Sequence, residues 1–165
     1  MTPDGSVPST VFLKPGEMVL SCEPALVTTL LGSCVAVTMF CRRLRLGAIC
    51  HALLPTCRRE ESCDQVEAGK YVECAIGHMI AQFNARGVLN GEVEAKLFGG
   101  SDMFDTIDGS YLSVGRQNQE MALRMLAAAE VRVITQDLGG ARGRKIVFHT
   151  HTGEVFLKRM RKTET

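Results

Sequence analysis

Apolar and polar positions along the chain follow two periods, and together they predict an ordered series of strands and helices. Over residues 34–40, Val35, Val37 and Met39 share one face of an extended segment, and Ala36, Thr38 and Phe40 share the other. Both sets are mostly apolar, which predicts a strand covered on both sides. The basic break "CRRLR" follows, and residues 46–54 predict a second strand ended by Pro55. Residues 18–22 predict a short strand before this pair, and residues 56–65 a polar surface loop. The spacing of Val72, Ile76, Met79, Ile80 and Phe83 is helical, with Gly87 placed for a left-handed cap. Residues 92–97 predict a strand running into Phe98-Gly99-Gly100, and residues 111–114 another short strand. A helix is expected over residues 117–130, with Met121, Met125 and Leu126 inward, then a strand over 131–135 and a glycine-rich turn. The end, "KIVFHTHTGEVFLKRM", predicts a β-hairpin turning near Thr152-Gly153. Strands outnumber helices and at least one hairpin is antiparallel, so an α+β layered domain is favoured over a doubly wound parallel sheet. Residues 1–16, with three of the five prolines, are expected to form a loosely held arm; 17–160 form one domain, and 161–165 fray.

Charge and composition narrow the classes. The 165 residues carry a formal net charge of +1, with 45% hydrophobic and 22% charged positions. That balance suits a globular protein and argues against nucleic acid as a chain-wide partner. The start, "MTPDGSVPST", has neither the basic nor the apolar region of a signal peptide, so a cytoplasmic location is expected. Residues 24–41 hold no charge over 18 positions, close to the length of a spanning helix. Gly32, Ser33 and the β-branched residues there predict instead buried strand segments meeting at a turn, with no membrane insertion.

The seven cysteines are odd in number and form no C-x-x-C pair, which argues against a disulfide framework or a zinc site. Most are expected to be small buried hydrophobes. Cys34 differs because it opens one predicted strand after the Gly32-Ser33 bend while His51 lies on the next. If residues 42–45 turn the chain, thiol and imidazole come within reach, as nucleophilic catalysis requires. Gly32 and Ser33 let the backbone turn and expose N–H groups toward an oxyanion. The hydroxyls of Thr28 and Thr29 are candidates to orient the imidazole. From these residues alone Cys34 stays open between packing thiol and nucleophile. The turn "GGARGRK" lacks the P-loop spacing, since Gly143 is followed by Arg144, Lys145 and Ile146. His149 and His151 share a strand face without a third local ligand, so no metal and no cofactor are expected. Arg142, Arg144 and Lys145 suit a solvated basic turn, or a surface for an acidic partner, and Met103, Met121 and Met125 suit core filling.

The elements "TTLLGSCVAV", "GAICHALLP", "KLFGGSDMF", "VGRQN" and "DLGGARGRKIVFHTHTGEV" occur in this order, with the cysteine 17 positions before the histidine. In this the chain resembles the chemoreceptor glutamine deamidase family CheD over about residues 17–160. The resemblance implies a layered sandwich of two mixed β-sheets flanked by helices (α/β/β/α), akin to deamidating toxins of the cytotoxic-necrotizing-factor type. It implies catalysis by Cys34 as nucleophile, His51 as general base and Thr28 as the residue orienting His51. Ser33, Gly32, Phe98, Gly99 and Gly100 are candidates for the oxyanion site and substrate wall. The implied activity is conversion of receptor glutamines to glutamate, with a possible ester-hydrolysing side activity. Methyl-accepting chemotaxis receptors are the implied substrate and a CheC-type phosphatase an implied partner; the alternative role is a non-catalytic regulatory module for both. Two positions depart from the family pattern: Gly47-Ala48 stands where Gly-Gly is frequent, and Cys50 precedes the histidine where Asn or Ala is common. Strand alternation turns Cys50 away from His51.

Overall fold

The computed structural model describes residues 5–57, 68–102 and 113–161. Among the described residues, nine strands form two mixed sheets. The first sheet, in the order β1-β3-β8-β9, comprises β1 (Ser9–Phe12), β3 (Ala25–Leu31), β8 (Arg144–His149) and β9 (Val155–Arg159). The second, ordered β2-β5-β4-β6-β7, comprises β2 (Met18–Ser21), β5 (Leu46–Ala52), β4 (Val35–Cys41), β6 (Glu94–Gly99) and β7 (Arg132–Leu138). The long helices are α1 (Val72–Ala85) and α2 (Val114–Ala128).

The uncharged stretch resolves into β3 and β4, joined through the Gly32–Ser33 bend and assigned to different sheets. No described helix is long and apolar enough to cross a membrane. β4 and β5 pair antiparallel through the basic turn, with Ala36 opposite His51 and Val37 opposite Cys50. β6 also pairs antiparallel with β4, and β7 adds parallel to β6 after the α2 crossover. The alternation read from the sequence sorts two cores. Val35, Val37, Met39 and Cys50 pack with Ile76, Met79 and Phe83 of α1 and with Met121 and Leu126 of α2. Ala36, Ile49 and Phe98 face the other way, against Val27, Leu31, Ile146 and Phe148 of the first sheet.

Helix ends follow their residues. After α1, Gly87 takes φ +79°, its N–H donates to Asn84 C=O, and Val88 N–H donates to Phe83 C=O. That pair of bonds is the Schellman closure expected of Gly87. Ser113 caps α2 by accepting the Arg116 N–H at 3.2 Å. The helix therefore starts at Val114, which removes that residue from the strand expected over 111–114; Tyr111 and Leu112 lie outside the described residues.

The α+β sandwich of two mixed sheets is as expected, and two placements differ. Both long helices pack on the five-stranded sheet and on each other, so among the described residues the layers run helix, sheet, sheet, without the outer helix of the α/β/β/α order. The described part of the expected loose arm, residues 5–16, is docked through Ser9–Leu13. Within it, β1 pairs parallel with β3, Leu13 is 1% exposed, and Leu13 N–H donates to Thr28 C=O. Prolines there suggested disorder, but the buried Leu13 and the open edge of β3 supply the apolar contact and backbone partners that hold it. Met103, most of the polar loop at 56–65, and 162–165 of the expected tail lie outside the described residues.

Candidate active site

β4 and β5 fix the first geometric relation. His51 sits opposite Ala36, and Cys34 is two positions before Ala36 on the same face. The two are thus diagonal cross-strand neighbours, a relation that spans about 7–8 Å between Cα atoms in a regular sheet and leaves side chains in reach. Cys34 is partly exposed and packs at the edge of the inter-sheet core, while His51 is 2% exposed. Cys50 is on the opposite face in the helix-side core, where burial pushes its thiol up to about 12.

A hydroxyl chain fixes the imidazole. Thr29 Oγ1 lies 2.7 Å from His51 Nδ1 and also 2.7 Å from Leu13 O, to which it donates. A hydroxyl has one proton. Having given it to the Leu13 carbonyl, Thr29 can only accept from Nδ1–H. The neutral ring therefore carries its proton on Nδ1, leaving the Nε2 lone pair as the basic site. Nε2 is buried and has no hydrogen-bond partner among the described residues. The backbone of His51 is held as well: its N–H donates to Glu17 C=O at 3.1 Å, and its C=O accepts from Gly16 N–H at 2.7 Å.

The orienting hydroxyl is thus Thr29, where the resemblance implied Thr28. Successive residues of β3 face opposite sides: Thr29 is fully buried between the sheets, and Thr28 is half-buried on the outer face. The segment expected to be a loose arm supplies, through Leu13 and Gly16, two of the contacts that position His51, and Glu17, which follows it, supplies a third.

Burial lowers His51 from 6.5 to about 4, so it is neutral at physiological pH. Burial pushes the Cys34 thiol above its ordinary 9.0, opposed by its own backbone N–H. The resting state is therefore a neutral thiol and a neutral imidazole.

The Gly32-Ser33-Cys34 turn is held by its carbonyls. Gly32 C=O accepts from Ser101 N–H at 2.9 Å, and Cys34 C=O from Gly100 N–H at 2.8 Å. Ser33 C=O accepts from Asn118 Nδ2 at 3.0 Å. In a trans peptide the next N–H points opposite to the carbonyl, and no cis peptide is present among the described residues. Carbonyls drawn into the protein therefore aim the Ser33 and Cys34 N–H groups outward, as oxyanion donors require. Gly32 and Ser33 are at the surface side of this turn. Phe98, Gly99 and Gly100 are not an open wall: all three are buried, with Phe98 in the inter-sheet core. Gly99, at φ +106°, lies so close that a Cβ would stand 2.2 Å from Cys34 O. These glycines form the floor beneath the turn.

The basic turn also divides. Arg142 is exposed, whereas Arg144 is 3% exposed and donates to Asp137 Oδ1 at 2.7 Å, Ser101 Oγ at 2.8 Å and Gly139 O at 2.7 Å. It fastens the turn to the glycine floor instead of meeting solvent. A polar cavity of about 550 Å³ beside it is lined by Gln119, Gln136, Asp137, Arg142 and Arg159, among others, and does not include Cys34 or His51. Among the described residues, no group of three His, Cys, Asp or Glu side chains could hold a metal ion. His149 stacks edge-on against Phe156.

A family model described as CheD chemotactic sensory transduction matches residues 53–159. Probable chemoreceptor glutamine deamidase CheD 2 of Geobacter sulfurreducens is 47% identical over 154 residues, covering 93% of this chain and 92% of that protein. Probable chemoreceptor glutamine deamidase CheD of Maridesulfovibrio salexigens is 38% identical, covering 92% of each chain. The protein of the same name in Thermococcus kodakarensis is 36% identical, covering 88% of this chain and 89% of that one.

Proposed function

From membership in the CheD family, to which this chain belongs, we propose that it hydrolyses glutamine side-chain amides of chemotaxis receptors to glutamate, with release of ammonia. The single observation that supports the reading is the Leu13–Thr29–His51 chain, which leaves the Nε2 lone pair uncommitted among the described residues, on a strand whose register makes His51 a diagonal neighbour of Cys34.

Nε2 takes the Cys34 proton as Sγ attacks the carboxamide carbon, forming the C–S bond and a tetrahedral oxyanion. The outward N–H groups of Ser33 and Cys34 hold that oxyanion; one well-aimed donor is worth roughly 3–4 kcal/mol. The imidazolium returns its proton to nitrogen, the C–N bond breaks, and ammonia leaves a glutamyl thioester. Water, deprotonated by Nε2, then attacks the thioester; the C–S bond breaks, the imidazolium returns its proton to the Cys34 sulfur, and the glutamic acid side chain leaves and gives its own proton to solvent. Substituting a glutamyl methyl ester, with methanol leaving, would use the same steps.

Throughout the cycle Nδ1–H stays on Thr29. When Nε2 gains its proton, the charge is met by the Thr29 oxygen, itself polarised by its donation to Leu13 O. Because resting Cys34 and His51 are both neutral, ionisation is confined to the moment of attack.

A CheC-type phosphatase as partner belongs to the same reading, and docking over the exposed Ser33 edge would block catalysis. The test is intact-mass measurement of a receptor cytoplasmic fragment incubated with the protein: each turnover adds about 1 Da as amide becomes acid. Cys34→Ala should abolish the gain while leaving the melting temperature near wild type. An unchanged rate in that variant would overturn the assignment.

A further inference from the structure

α2 presents Gly115, Asn118, Met121, Ala122 and Leu126 inward. Asn118 is the polar member of that stripe and is 0% exposed. Its Nδ2 donates at 3.0 Å to Ser33 C=O and at 3.0 Å to Leu53 C=O. Ser33 immediately precedes Cys34, and Leu53 follows His51 by two residues, where β5 has ended. One amide group thus joins the backbone that carries the thiol to the backbone that carries the imidazole. Two acceptor carbonyls fix which end of the amide is NH2, and Asn118 Oδ1 is left buried without a partner among the described residues. Helix packing alone would be served by an apolar residue at this position, since burying an amide with one oxygen unsatisfied is costly.

We propose that Asn118 is a positioning residue of the hydrolysis: it sets the separation of Cys34 from His51 and aims the Cys34 N–H at the oxyanion. The second effect follows from peptide geometry. Asn118 draws the Ser33 carbonyl inward, and the N–H of the same peptide, that of Cys34, points the opposite way. Ser101 and Gly100 hold the flanking carbonyls through backbone N–H groups, which no side-chain substitution removes. The middle peptide of the turn depends on a side chain. Gly115 lets α2 come this close, because a Cβ there would stand 2.3 Å from Ser101 O.

The inference rests on the deamidase reading, so the experiment separates the two. Wild type, Asn118→Asp, Asn118→Ser and Met121→Ala are compared for kcat, KM, thermal unfolding and the pH profile of deamidation. Asn118→Asp keeps the shape but turns an oxygen toward two carbonyls. Asn118→Ser keeps a single donor, and serves should the Asp variant not fold. Met121→Ala loses packing on the same helix face without touching either strand end. The expected result is a fall in kcat of about a hundredfold for Asn118→Asp, the scale of one lost oxyanion donor, with KM within about twofold of wild type by the same transition-state argument. The Asp variant should also regain activity toward acid, as protonation of its carboxyl restores one donor. Met121→Ala should lose melting temperature yet keep its kcat. The proposal is overturned if folded Asn118 variants keep wild-type kcat, or if Met121→Ala loses as much. A wild-type protein with no deamidation at all would instead remove the underlying reading.

Discussion

Replacing Thr29 by valine removes one oxygen and almost no volume, and the structure gives the consequences in order. The Leu13 carbonyl and the His51 Nδ1–H both lose their 2.7 Å partner in a buried site. Leaving a buried donor or acceptor unsatisfied costs about 1–3 kcal/mol, so the variant should unfold at a visibly lower denaturant concentration. Catalysis suffers separately, because nothing then favours the Nδ1–H tautomer or holds the ring. A neutral hydrogen bond is worth a net of about 0.5–1.5 kcal/mol, which translates to a fall of roughly 2–13-fold in kcat. Thr28→Val is the matched control: the same chemical change one residue away, on the outer face of β3. It should leave kcat within about twofold, since an outward hydroxyl adds little. The assay is initial-rate ammonia release from a receptor fragment, with folded fraction checked by circular dichroism at the assay temperature. If Thr28→Val lost the activity and Thr29→Val kept it, the proton chain through Leu13 would be wrong.

Other outcomes follow from the same geometry. Because His51 is held near 4 against an ordinary 6.5, deamidation should persist well below pH 6 and fall as pH approaches 4; an acid limb near 6.5 would contradict the buried base. The same shift affects stability. The unfolded chain binds a proton at His51 that the folded one refuses, so the stability present above 6.5 should be lost progressively as pH falls toward about 4, read as a falling melting temperature. Gly99→Ala should be inactive and strongly destabilised, since its Cβ would stand 2.2 Å from Cys34 O at φ +106°; near-normal kcat and melting temperature would show that the turn is not held there. Cys50→Ala should remain active with modestly reduced stability, because that thiol faces the helices; a fall in kcat of about a hundredfold would instead place it in the chemistry.

Alternating apolar positions made the central sheet legible before any coordinates: β4, β5 and their two faces appear where the period-two pattern predicts. The hairpin of β8 and β9, and α1 with its Gly87 closure, are equally plain in the residues. Cys34 and His51 could be paired because a hairpin brings them together by strand register, a local property. Thr29 could not be separated from Thr28 in the same way. That choice depends on which face of β3 meets the other sheet, and both faces carry apolar residues, Val27 and Leu31 on one and Leu26 and Leu30 on the other. Leu13 contributes a carbonyl, which no side-chain pattern reveals, and its proline-rich surroundings pointed to disorder. Arg144 looked like surface charge because its partners, Asp137, Ser101 and Gly139, come together only once the turn is folded. Asn118 left a faint signal as a lone amide on the inward face of a predicted helix.

The base and its anchor belong to different sheets. His51 hangs from the five-stranded sheet and Thr29 from the four-stranded one, so the bond between them crosses the layer where the sheets can slide. Face-packed sheets hold through side-chain interdigitation, with no backbone ladder between them. A displacement of about one ångström along that bond would carry the 2.7 Å contact beyond hydrogen-bond length while every strand kept its pairing. The orientation of the imidazole therefore depends on the spacing of the two sheets. A protein pressing on the outer face of the four-stranded sheet could change turnover without approaching the thiol, and turnover itself would report the register of the two layers.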